Sequence, residues 1–180
     1  QDGNRAAQYD LVLLRHAWNI ARIDWGWDLA DNPLTLIRFP KNNPPRERRL
    51  RNGEYKRLLN ANSQTKSWYL WPIIEVALET CMRRGEILSM KWEHIDFQRK
   101  KVLLPTTKNG RSRWVPLNSK TIAIIQALPR IDDRIFPVTD TALRQSWERL
   151  RKRSRITDLT FHDLRHEAIS RCFEKGMSVP

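Results

Sequence analysis

Three prolines within six residues divide this chain. Phe39-Pro40-Lys41-Asn42-Asn43-Pro44-Pro45-Arg46 gives no helix or strand a way through, because each proline removes a backbone donor and restricts the residue before it. The stretch is also polar and basic, as linkers between folded units are. Residues 40–49 are therefore read as an interdomain linker, with 1–39 belonging to one domain and 50–180 to another.

Upstream, Leu11, Leu14, Trp18, Ala21 and Trp25 recur at steps of three and four. Residues 8–25 thus form an amphipathic helix whose apolar stripe needs a partner. Downstream, residues 50–60 read as a short helix with Asn52 as its cap and Tyr55, Leu58 and Leu59 facing inward. Residues 68–80 read as a more apolar helix, in which Pro72 fits only the first turn. Cys81-Met82-Arg83-Arg84-Gly85-Glu86 then separates two apolar helices, so a cationic corner is held between rigid elements.

Residues 95–98, 102–105 and 113–117 read as three short strands. Asn109-Gly110 is a strong hairpin signal, since both central positions of the favoured tight turn need positive φ. It places Lys108, Arg111 and Arg113 at or beside a hairpin tip. Ser119 caps a helix to about Leu128, and Asp140 caps one that runs to Arg153. The outer face of the latter carries Arg144, Arg149, Arg151, Lys152 and Arg153, a candidate stripe for phosphate contacts. The last helix runs from His162 to Lys175 and stops at Gly176. The fold class is mainly α with a small three-stranded antiparallel sheet.

Thirty-three Lys and Arg against 20 Asp and Glu give a net charge of +13, a field that draws polyanions. Only Cys81 and Cys172 are present, each in a stretch that reads as buried helix, which fits a reducing, cytoplasmic compartment. No apolar run has the roughly 18 residues that a membrane span needs, so no membrane partner is expected. The chain begins without methionine and stops directly after a helix, and both ends read as cut.

Thr160-Phe161-His162-Asp163-Leu164-Arg165-His166 puts His162 and Arg165 three residues apart as a helix begins. Side chains at that spacing share one face, with β-carbons about 5–6 Å apart, beside a helix N-terminus that favours anions. With Arg83 at the helical corner and Lys108 on the hairpin, separate parts of the chain offer phosphate-seeking groups. Such a set suits phosphodiester chemistry without metal or other cofactor: guanidiniums neutralise the non-bridging oxygens, and a lysine or histidine moves a proton. His162 and His166, four apart, have zinc-binding spacing, but Arg165 between them opposes a dication and no further ligand cluster completes a set.

Three boxes in order carry a resemblance. Residues 78–88, Leu-Glu-Thr-Cys-Met-Arg-Arg-Gly-Glu-Ile-Leu, with Lys91-Trp92-Glu93-His94-Ile95-Asp96 after them, resemble the first box of the tyrosine recombinases, also called phage integrases. Thr106-Thr107-Lys108-Asn109-Gly110 followed by Val115-Pro116-Leu117 is similar to their β-hairpin lysine motif, and residues 161–166 match their His-x-x-Arg box. The wording of the first and third boxes is closest to that of shufflon-type invertases and related phage integrases.

The resemblance implies a DNA breaking–rejoining catalytic core over 50–180, incomplete at its C-terminal end, after the terminal helix and tail of a core-binding domain. It implies site-specific recombination or integration through a 3′-phosphotyrosyl intermediate, on double-stranded DNA, by a homo-oligomer (a tetramer on DNA) of the full-length protein encoded by a mobile element. Arg83 and Arg165 would clamp the scissile phosphate, His162 would assist, Lys108 would be the general acid and Glu86 a support near Arg83. Arg111, Arg113, Arg144, Arg151 and Lys152 are expected to contact DNA. Two departures stand out. Cys81 replaces the family's usual glycine, and Tyr9, Tyr55 and Tyr69 all precede Arg83, so none takes the nucleophile's place and the fragment is expected to be inactive. The alternative is a non-catalytic DNA-binding protein that kept the fold.

Overall fold

The computed structural model describes residues 2–41, 44, 46–105 and 112–177. They form two compact units, Gln1–Arg46 and Glu47–Pro180.

The first unit is built on α1, Asp2–Ile23. Asn32 fastens the following segment onto it. This buried amide donates to the Arg15 carbonyl (3.0 Å) and to the Asn19 side chain (2.9 Å), and accepts from the Leu34 amide (3.0 Å). Arg15 in turn reaches the Leu34 carbonyl at 2.7 Å and lies over the Phe39 ring. Of the expected apolar stripe only Ala21 is buried, while Leu14 is exposed, and the helix ends before Trp25, which is exposed as well.

In the second unit α2 spans Glu54–Asn62, α3 Leu70–Thr80 and α4 Arg84–Leu88. Strands β1 (Ile95–Asp96), β2 (Lys101–Leu104) and β3 (Arg113–Pro116) follow, then α5 (Ser119–Gln126), α6 (Asp140–Arg153) and α7 (Asp163–Glu174). The centre is α3. Leu70, Ile73, Ile74, Val76, Ala77 and Leu78 are all buried, as expected of a helix that is apolar nearly all round. It packs against α4, α5, α6 and α7. Each fully buried Leu or Ile contributes about 1.5–3 kcal/mol, so this helix holds the other elements in register. Its one buried charge, Glu75, is met by Lys120 at 2.5 Å and by the Tyr55 hydroxyl.

The three strands form one antiparallel sheet in the order β1-β2-β3. Val102 faces Val115 and Leu104 faces Arg113, so one face of the sheet carries buried Val102, Leu104 and Val115. The other carries Lys101, with its ammonium 4.1 Å from the centre of the Trp114 ring.

Several caps differ from expectation. Gly53 at φ 80° precedes α2 in place of Asn52, since glycine enters the left-handed region without a Cβ clash. Asn118 caps α5 by accepting from the Thr121 amide at 2.8 Å, and Thr139 caps α6 by accepting from the Ala142 amide at 3.1 Å. In each case the residue before the expected one, Ser119 or Asp140, holds the extended backbone a cap needs. The end of α7 is as expected. Gly176, at φ 72°, donates to the Phe173 carbonyl and Met177 to the Cys172 carbonyl, which closes a Schellman turn. Among the described residues no helix is long and apolar enough to cross a membrane.

Candidate nucleic-acid cleavage site

The corner between α3 and α4 begins at Cys81, which leaves α3 in the left-handed region at φ 55°. That reversal turns the chain so that Arg83 stands in extended conformation at the N-terminus of α4. Glu86, three residues on and only 7% exposed, reaches back to accept from the Arg83 amide at 2.8 Å. This is one half of a capping box. The other half is missing because a guanidinium has no acceptor to offer the helix.

The Glu86 carboxylate does more than cap. It also takes the Arg83 guanidinium at 3.1 Å and the Arg113 guanidinium, arriving from β3, at 2.9 Å. Burial alone would raise its pKa. The Arg83 amide and the Arg113 and Arg83 charges outweigh burial and hold it below the ordinary carboxylate value, so Glu86 is ionised at neutral pH.

Arg165 joins this corner from α7. Its guanidinium donates to the main-chain carbonyl of Cys81, two residues before Arg83. Burial and the nearby Arg83 charge lower its pKa, with Arg113 acting in the same direction and Glu86 opposing. An arginine remains charged through such a shift. Two guanidiniums thus meet the Glu86 carboxylate and the third, Arg165, docks on the same corner, an arrangement that leaves net positive charge for an anion.

His162 stands at the N-terminus of α7, exposed, with its ring edge-on to His166 at 5.0 Å. Partial desolvation lowers its pKa, helped by His166, Arg165 and Arg83, so the neutral imidazole is favoured at pH 7. The turn that presents it is tied by buried Asp163, which accepts from the Thr160 amide at 2.7 Å. Buried Glu167, one turn further along α7, bonds Arg49 (3.1 Å), Arg171 (2.7 Å) and the Leu50 amide (3.2 Å), anchoring α7 to the start of the unit.

Arg83, Glu86, His162 and Arg165 are therefore brought together. Lys108 and Arg111 lie outside the described residues. Arg113, expected to contact DNA, bonds Glu86 at 2.9 Å. Arg144 and Lys152 are exposed on α6. Arg151 departs from the expected stripe, because its guanidinium is held by Glu148 at 2.6 Å and by the Ile156 and Thr157 carbonyls. Cys172 lies within α7, as expected, but Cys81 stands at the C-terminal cap of α3; both residues are half-buried, and their sulfurs are 3.7 Å apart. Sequence reasoning missed the Cys81 carbonyl as the acceptor for Arg165, since a main-chain acceptor leaves no trace in residue identity.

Comparison with known proteins places this geometry. Residues 48–180 match the sequence profile of the phage integrase family. The shufflon-specific DNA recombinase of Escherichia coli is 45% identical over 168 residues, which cover 93% of this chain and 43% of that protein. Tyrosine recombinase XerA of Saccharolobus solfataricus is 29% identical over 129 residues, covering 70% of this chain and 43% of that protein. The chain thus spans less than half the length of these two relatives. Lambda integrase bound to DNA shares the fold, with a TM-score of 0.79 over 97% of this chain and 67% of that one at 23% identity. The His-x-x-Arg turn, the arginine corner and the three-stranded sheet all fall within the matched stretch, and the chain belongs to the phage integrase family.

Proposed function

We propose that the protein carrying this chain performs site-specific DNA recombination by cutting and rejoining strands through a 3′-phosphotyrosyl link. The observation that carries this reading is the docking of Arg165 on the Cys81 carbonyl beside Arg83, which gathers two guanidiniums at one place. In this reading Arg83 and Arg165 neutralise the non-bridging oxygens as charge builds on the scissile phosphate. Neutral His162 donates a hydrogen bond to the same group, and Glu86 orients Arg83.

A tyrosine oxygen attacks phosphorus, the P–O5′ bond breaks, and Lys108 gives its proton to the departing 5′-oxygen. The link conserves the bond energy, so rejoining needs no nucleotide cofactor. Tyr55 and Tyr69 are engaged elsewhere, with Glu75 and Ser146. The nucleophile in this proposal is a tyrosine outside these 180 residues. Similarity to a shufflon-specific recombinase supports duplex DNA as substrate. The working form would be a homo-oligomer, a tetramer on paired sites, acting in the cytoplasm.

The test is denaturing electrophoresis of the full-length protein with a labelled duplex, nicked to trap the covalent product, in the presence of a chelator. A protein–DNA adduct at a 3′-phosphate supports the proposal. Binding with no adduct on any cognate site supports a DNA-binding role only.

A further inference from the structure

Cys81 and Cys172 are the two cysteines of the chain, 91 positions apart, and the fold brings their sulfurs to 3.7 Å. The cleavage chemistry proposed above uses neither thiol. Both residues are half-buried, so each is open in part to solvent. Cys81 stands where the chain leaves α3, two residues before Arg83. Cys172 stands on α7, seven residues after Arg165, and nearly two helical turns put both on one face of that helix. That face of α7 therefore meets Cys81 twice: the Arg165 guanidinium holds its carbonyl, and the Cys172 thiol touches its sulfur.

We propose that Cys81 and Cys172 form a modification site at which a peroxide makes a reversible disulfide, and that this cross-link disturbs the docking of Arg165 and slows cleavage. The effect on cleavage rests on the reading of Arg83 and Arg165 as the phosphate clamp given above. The disulfide itself does not.

The chemistry has two steps. The Cys172 thiol, reacting as its thiolate, takes one oxygen from the peroxide: the O–O bond breaks, a sulfenic acid forms, and the thiol proton leaves with the other oxygen as alcohol or water. The Cys81 sulfur then attacks that of Cys172, the S–O bond breaks, and hydroxide departs with the Cys81 proton as water. Two electrons pass from the sulfurs to the peroxide. The order follows from the surroundings. Burial and the neighbouring Cys172 push the Cys81 thiol up to about 11, so it keeps its proton at neutral pH and the first attack falls to Cys172. Contact at 3.7 Å makes the second step intramolecular.

Closing the bond draws the sulfurs about 1.7 Å nearer, to about 2.05 Å. Cys81 sits at φ 55° between α3 and Arg83, and a pull on its side chain turns the carbonyl that Arg165 holds. A displacement of about 1 Å near reacting groups costs about 10²-fold.

The experiment treats the full-length protein with hydrogen peroxide, alkylates the remaining thiols and maps the peptides without reduction. Single-turnover cleavage of a labelled duplex is measured before oxidation, after it, and after dithiothreitol. A linked Cys81–Cys172 peptide is expected, with cleavage lowered about 10- to 100-fold and restored by dithiothreitol. Cys172→Ser should cleave at the unsubstituted rate with or without peroxide. If that variant fails to fold, as judged by thermal melting, Cys172→Ala serves in its place. Absence of the linked peptide overturns the modification site. A linked peptide with unchanged cleavage, or an equal loss in the Cys172 variant, overturns the coupling to Arg165. If the reduced protein cleaves no cognate site, the proposed function fails and the coupling with it, while the disulfide is still decided by the peptide map.

Discussion

The guanidinium of Arg165 donates to the main-chain carbonyl of Cys81, and by this bond α7 reaches the corner that carries Arg83. A fork of five donors can hold a carbonyl and still present N–H groups to a phosphate, whereas a lysine offers a single point charge. Arg165→Lys in the full-length protein is expected to slow cleavage by about 10²-fold or more, the scale seen when one donor to a developing oxyanion is lost. Equilibrium DNA binding should change less than about tenfold, since in the proposed function this would be one of many phosphate contacts. Single-turnover rates beside binding titrations check both. Unchanged cleavage would remove Arg165 from the site.

Cys81 holds φ 55°, a conformation that costs a residue with a Cβ about 1–2 kcal/mol. Cys81→Gly and Cys81→Ala both delete the thiol, but only glycine relieves the backbone. The glycine variant is expected to be about 1 kcal/mol more stable than the alanine variant. Equilibrium urea unfolding of the two measures the difference, and equal midpoints would mean that the corner relaxes.

Acid should destabilise the protein in two stages. The folded pKa of His162 lies below its ordinary 6.5, through desolvation and the neighbouring His166 and Arg165 charges. The folded pKa values of Glu86 and Glu167 lie below 4.5, because their arginine partners outweigh burial. In each case the unfolded chain binds the proton more readily, so stability is fully present above the unfolded pKa and is lost as pH falls through the folded one. Stability should begin to decline just below pH 6.5 and decline again below pH 4.5. Glu167→Gln should cost about 2 kcal/mol at pH 7, the scale of hydrogen bonds to charged groups, and should lessen the second decline. Thermal melting from pH 4 to pH 8 shows whether both stages occur.

The elements of the fold were legible because their signals are local. The apolar run 70–80 and Gly176 at the end of α7 each act through neighbours in sequence. The fold class and the boxes around Arg83 and Arg165 were legible for the same reason. What sequence hid was the use of side chains across the fold. Arg113 and Arg151 both look like exposed cations on a basic surface, yet one meets a carboxylate 27 positions away and the other caps the carbonyls that follow its own helix. Charge patterning cannot separate an arginine that faces solvent from one that folds back, because both choices satisfy the same guanidinium. The caps slipped by one residue because neighbouring Asn118 and Ser119, or Thr139 and Asp140, are equally capable acceptors by type, and backbone conformation decides between them.

That distinction among the arginines has a measurable consequence for DNA binding. Arg144 and Lys152 are exposed on α6, and replacing either by alanine should reduce the slope of log affinity against log salt by about 0.9, one phosphate contact each. Arg151→Ala should leave the slope unchanged and instead lower stability by about 1 kcal/mol, through loss of its hydrogen bonds within the chain. Titrations across salt concentrations, set beside melting temperatures, separate the two classes. A slope change for Arg151→Ala would return it to the DNA-facing surface.

The 180-residue chain is expected to form no covalent link with DNA. Arginines and a lysine stabilise charge and move protons, but the transfer needs a tyrosine oxygen in line with the leaving 5′-oxygen. The Tyr55 hydroxyl is bonded to buried Glu75, and burial and that carboxylate raise its pKa. This is the reverse of what an attacking phenol requires. Tyr69 is bonded to Ser146 at 3.0 Å, and Tyr9 belongs to the other compact unit. In the full-length protein, Tyr9→Phe, Tyr55→Phe and Tyr69→Phe should each keep cleavage within about threefold, since none forms the covalent link on which the reaction depends. Denaturing electrophoresis of the short and full-length proteins with a trapped nicked duplex, followed by peptide mapping of any adduct, provides the measurement. An adduct on Tyr9, Tyr55 or Tyr69 would overturn the assignment of the nucleophile to a tyrosine outside the chain, and with it the roles drawn from the order of the three boxes.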